Sequence, residues 1–122
     1  MHAIEAHPCA WQLAYHVVDA GKPGPGKMRI AIRVLDAIAE KAHPDSPWPN
    51  PWVTGLTADQ RTKVEADTGR TFDLAHRVGV ELSVEQVEFL RERLRAYCDG
   101  EASVAHGRVL SGLVEALEQV KG

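Results

Sequence analysis

The sequence predicts an all-α fold, a single-domain bundle of five or six helices with a Pro/Trp-rich irregular segment at residues 44–52. Three observations carry this. Apolar residues recur at three- and four-residue spacing through most of the chain, the period of a helix with one face in a core. Serine, threonine and glycine punctuate these stretches at helix-length intervals. All seven prolines fall before Val53, so the first part is helices between hard breaks and the second is helices joined by turns. A chain of 122 residues buries roughly two-thirds of its unfolded surface, enough for one core without metal or disulfide support.

The first helix is expected over residues 8–20, with Pro8 suited to its first turn. Gln12, His16 and Asp19 fall on one narrow polar face, and Trp11, Leu13, Ala14, Val17 and Val18 cover the remainder. The run Gly21-Lys22-Pro23-Gly24-Pro25-Gly26 ends it. A second helix over 27–42 repeats the design: Arg29, Arg33, Asp36 and Glu40 are wet, while Ile30, Ala31, Val34, Leu35 and Ile38 are dry. These two helices are expected to form the central pair of the core. Residues 44–52, PDSPWPNPW, can be neither helix nor central strand, because each proline fixes φ, removes a donor and restricts its predecessor.

Thr57 with Gln60 signals a capping box and a helix over 58–68. Its residues are nearly all polar, leaving Val64 and Ala66 to face inward, so it should be peripheral. Residues 71–82 are ambiguous. Phe72, Leu74, His76, Val78, Val80 and Leu82 alternate as in a strand, but a lone strand would need a partner from a second molecule. The preferred reading is a short helix over 72–78 stopped by a left-handed Gly79. Ser83 with Gln86 opens the next helix, whose inner face is Val84, Val87, Leu90, Leu94 and Tyr97, with Glu88–Arg91 and Glu92–Arg95 pairs outside and Gly100 closing it. The last helix, 102–120, places Leu110, Leu113, Leu117 and Val120 in register.

The net charge of −3 offers no basic stripe for nucleic acid. The first 52 residues balance five acids against five bases and the remainder carries twelve against nine, so the acidity belongs to the C-terminal part. No secretory leader opens the chain and no apolar run nears the roughly 20 residues of a membrane span, giving a cytoplasmic expectation with no membrane contact. That compartment favours thiols over a long-range disulfide between Cys9 and Cys98.

The metal candidates are weak. His7 and Cys9 form one close pair and Cys98 precedes His106, but structural zinc uses two close pairs; no cofactor is expected. His106 falls in the leucine stripe, where a hydrogen-bonded core histidine is the plainer reading. His16 and Asp19 lie one turn apart, and Cys9 sits near a helix N-terminus that lowers a thiol pKa. No nucleophile motif accompanies them, so a small thiol- or metal-dependent enzyme, needing His7, Cys9 and His16 to converge with Cys98 or His106, is the third reading. The glycine run before Lys27 lacks P-loop spacing and follows a helix rather than a strand.

The second reading is a helix-turn-helix regulator with its turn at Leu74–Gly79, but the recognition helix would lead with Glu85, Gln86 and Glu88, which phosphates repel. The first reading is a non-catalytic protein-interaction or regulatory module, open to self-association. Trp48 and Trp52, held stiffly by Pro49 and Pro51, either cap the open end of the bundle or anchor a partner. Phe89, off its helix's inner stripe, and Trp11 are further anchor candidates. The acidic C-terminal part favours a basic surface on that partner.

Overall fold

The computed structural model describes residues 1–42, 57–68 and 75–120. Among them the chain is mostly helical, with five helices and one two-stranded sheet. The order is β1 (His2–Ala6), α1 (Pro8–Ala20), α2 (Met28–Lys41), α3 (Ala58–Thr68), β2 (Val78–Leu82), α4 (Val84–Gly100) and α5 (Val104–Glu118). The segment carrying Trp48, Pro49, Pro51 and Trp52 lies outside the described residues, as do Phe72 and Leu74.

The sheet corrects the all-α expectation. Residues 78–82 are a strand, and its partner comes from the same chain: β1 pairs with β2 antiparallel, Ile4 opposite Val80 and Glu5 opposite Gly79. The period-two pattern was therefore the governing signal over its second half. Ile4 and Ala6 face inward beside Val80 and Leu82, and all four are buried. Gly79 is not a left-handed helix stop; among the described residues only Gly24 and Gly26 have positive φ, at 91° and 72°. Those two glycines make the turn between α1 and α2 that the sequence requires there.

Local chemistry fixes the helix ends. Pro8 takes the first position of α1, and the His7 imidazole Nδ1 accepts from the Cys9 amide at 3.0 Å. Thr57 and Gln60 form the reciprocal bonds of a capping box before α3, at 3.0 and 3.2 Å. Ser83 and Gln86 do the same before α4, at 2.8 and 3.2 Å. Ser103, not residue 102, starts α5: its hydroxyl accepts from the His106 amide at 3.2 Å.

One contiguous core joins both strands to α1, α2, α4 and α5. Helices α1 and α2 pack together as expected, but they share the centre with α4, which packs against α1, α2 and α5, and with α5, which packs against α1, α4 and β1. The burial of α1 runs from Pro8 through Ala14 without a break. Gln12, expected on a wet face, is buried there. Helix α2 buries only Ala31, Val34 and Ile38 and leaves Met28 and Ile32 exposed. The Trp11 side chain is fully buried, and its indole Nε1 donates to the Val78 carbonyl at 2.9 Å, tying α1 to the sheet. Helix α3 is peripheral as expected; Val64 is half-buried and Ala66 exposed. Arg95 pairs not with Glu92 but with Glu118 of α5, at 2.8 Å.

Candidate functional site

Of the described residues singled out from sequence, His16 and His106 line one cleft, and His7, Cys9 and Cys98 do not join them there. His7 is engaged as the cap of α1. Cys9, beside it, is fully buried, and burial pushes its thiol up to about 11. This corrects the expectation of an activated thiol: the desolvation of a thiolate outweighs the helix N-terminus. Cys98 is half-buried, also with its thiol pushed up by burial and by Asp99, and neither cysteine is in a disulfide. His106 accepts or donates at Nδ1 with the Tyr97 hydroxyl, 3.0 Å away. Among the described residues no three histidine, cysteine or acidic side chains gather in a metal-holding group. Gly79, the end of the helix-turn-helix candidate, lies in β2, so no helix-turn is built there. Phe89 is half-buried and packs against the core; Trp11, wholly internal, is no surface anchor. No helix among the described residues is long and apolar enough to cross a membrane.

Two features stand out instead. The first is on α2. Met28 and Ile32 are 60% and 49% exposed, one helical turn apart, and Leu35, half-buried, continues their row. This is a second apolar stripe beside the Ala31–Val34–Ile38 stripe that enters the core. It follows from the sequence, where apolar residues at 28, 30–32 and 34–35 span more of the helix than one core face can absorb.

The second is a cleft of about 540 Å³ where the C-terminal half of α1 meets α4 and the start of α5. Leu13, Val17 and Ala20 of α1 and Ala96 of α4 supply its apolar surface. His16, Lys22 and Arg93 stand around it, with the Tyr97–His106 pair and Glu101 further along α4. Burial, then Cys98 and Glu101, push the Tyr97 phenol upward, which keeps it a neutral hydroxyl and a hydrogen-bond donor. Lys22 and Arg93 make no ion pair or hydrogen bond with any described residue. Sequence reasoning reached His16 and His106 but missed Lys22, Arg93 and the wall between them.

No family model, no curated protein and no solved structure matches the chain. Its class is set by fold alone, a mostly helical domain closed by a two-stranded sheet.

Proposed function

We propose that the chain is a non-catalytic helical interaction module that binds another protein. The observation that carries this reading is the exposed Met28–Ile32 stripe on α2. Covering such side chains removes apolar surface from water, worth about 25 cal/mol per Å². A helix presenting anchors one turn apart suits a partner's groove or a partner helix. Trp48 and Trp52, with Pro49 and Pro51 stiffening the segment between α2 and α3, are proposed as further anchors, and Phe89 is relegated to supporting the core. A basic partner surface suits the acidic C-terminal part, and the reading keeps a cytoplasmic setting. Self-association through the same stripe is the second form of the proposal.

The test uses three purified proteins of verified helicity: wild type, Met28→Ser/Ile32→Ser and Trp48→Ala/Trp52→Ala. Sedimentation reports self-association, and capture followed by titration with the identified, purified partner reports hetero-association. The reading expects one of these associations to weaken at least tenfold in a folded variant. Association that is absent, or the same in all three proteins, overturns it.

A further inference from the structure

We propose that the cleft between α1, α4 and α5 binds a small amphipathic anion, an organic carboxylate or phosphate carrying an apolar body. This is a site separate from the α2 stripe.

Size and lining come first. A volume of about 540 Å³ lies within the roughly 300–1,000 Å³ usual for small-molecule sites, which are mostly apolar with a few convergent polar groups. Here Leu13, Val17, Ala20 and Ala96 offer the apolar surface, and Lys22 and Arg93 the polar groups. The whole chain is negative, at −3, yet this lining holds two cations against one carboxylate, Glu101. The local sign is opposite to the global one.

Gly21 supplies the sharper argument. Its backbone is extended, with φ −93° and ψ 163°, a conformation open to any residue. Backbone geometry therefore gives no reason for glycine at this position. What the glycine leaves is room: the guanidinium of Arg93 lies where a Cβ would stand, and the end of that flexible side chain would have to move aside for one. The missing side chain lets Arg93 lie across the end of α1, beside Lys22, with its fork of donors unclaimed by any described residue. A planar guanidinium matches the two oxygens of a carboxylate or phosphate.

The other polar groups set the orientation. Tyr97 lies one turn beyond Arg93 on α4 and joins His106; Glu101 is close enough to act on the Tyr97 phenol. The anionic head belongs at the Gly21–Lys22–Arg93 end, away from Glu101. The body lies over Val17 and Ala96, where the Tyr97–His106 pair can meet a polar substituent.

The experiment is an amide-resolved NMR titration of the full chain with octanoate and octyl phosphate, and with octyltrimethylammonium as the cationic counterpart. Saturable shifts are expected within residues 13–22 and 93–106 for the two anions, with the tighter one identifying the headgroup. Arg93→Gln and Lys22→Gln should each raise Kd about tenfold. Gly21→Ala, compatible with the extended backbone, should fold normally and still weaken the anions several-fold by displacing the guanidinium. Shifts centred on Met28 and Ile32, equal binding of the cationic amphiphile, or an unchanged Kd in the folded Lys22 and Gly21 variants would each overturn the proposal.

Discussion

Replacing Trp11 by Phe tests how the helices are coupled to the sheet. Trp11 is fully buried, and its Nε1 donates to the Val78 carbonyl at 2.9 Å, joining residues 67 apart in sequence. Phe keeps an aromatic ring but removes that donor. Depriving a carbonyl of its partner costs about 1–3 kcal/mol where the group is fully buried, and the half-buried Val78 carbonyl belongs at the low end, about 1 kcal/mol. The smaller ring also leaves a void, at about 1 kcal/mol by the usual dependence of stability on cavity size. The expected loss is about 2 kcal/mol, a sizeable share of the roughly 5–15 kcal/mol that such domains possess. Urea denaturation should show an earlier midpoint with an unchanged slope. Hydrogen exchange should place the local effect at the amides of β1 and β2, because the lost bond ends on the sheet. A loss under about 0.5 kcal/mol with unaltered exchange in both strands would refute the reasoning, since packing by the benzyl ring alone would then suffice.

Four other outcomes follow from the same structure. Ser83→Ala breaks a reciprocal capping box before a helix that buries Val87, Leu90 and Leu94, so urea midpoints should report a loss of about 1 kcal/mol, whereas Thr57→Ala before α3 should only increase local amide exchange. In a thiol-labelling experiment Cys98 should react well before Cys9, which reacts only on unfolding. The Cys9 thiol rises from 9.0 to about 11 on folding, so the unfolded chain ionises first: stability is fully present below pH 9, falls between 9 and 11, and Cys9→Ala should flatten that decline. Arg95 and Glu118 are both exposed, and a double-mutant cycle on them should give under about 1 kcal/mol, shrinking further in salt.

What was legible in the sequence divides along physical lines. The helices were legible because their signals are local: Ser83 with Gln86 and Thr57 with Gln60 state a cap within four residues, and the structure forms both boxes. The sheet was only half legible. Val78, Val80 and Leu82 alternated as a strand must, but β1 holds one large apolar residue, Ile4, so no comparable pattern announced the partner strand. A strand's pairing is a long-range fact; Ile4 meets Val80 only after α1, α2 and α3 have intervened. The role of Gln12 failed for a related reason. Its helical position looked polar, and His16 and Asp19 further along the same face are indeed exposed, but the first half of α1 is buried from Pro8 through Ala14, so the wet face does not reach back to Gln12. Among the described residues no buried side-chain nitrogen or oxygen lacks a hydrogen-bond partner, so the amide is accommodated without a wet face.

The cleft was illegible for a different reason, one that bears on what the glycine run does. In sequence, Gly21, Gly24 and Gly26 are three equivalent breakers between two helices. In space they separate into two kinds. Gly24 and Gly26 adopt positive φ with open space around them, which is backbone work and the ordinary use of glycine in a turn. Gly21 has extended backbone and a crowded Cα, so what it provides is absence of volume, occupied by the end of Arg93. Nothing in the spacing of residues 21 and 93 announces that pairing; it exists because α1 and α4 pack together, bringing the end of one helix against the middle of the other. The end of Arg93, with no partner among the described residues, lies in the room that the missing side chain leaves, and that placement is what the proposed anion site draws on.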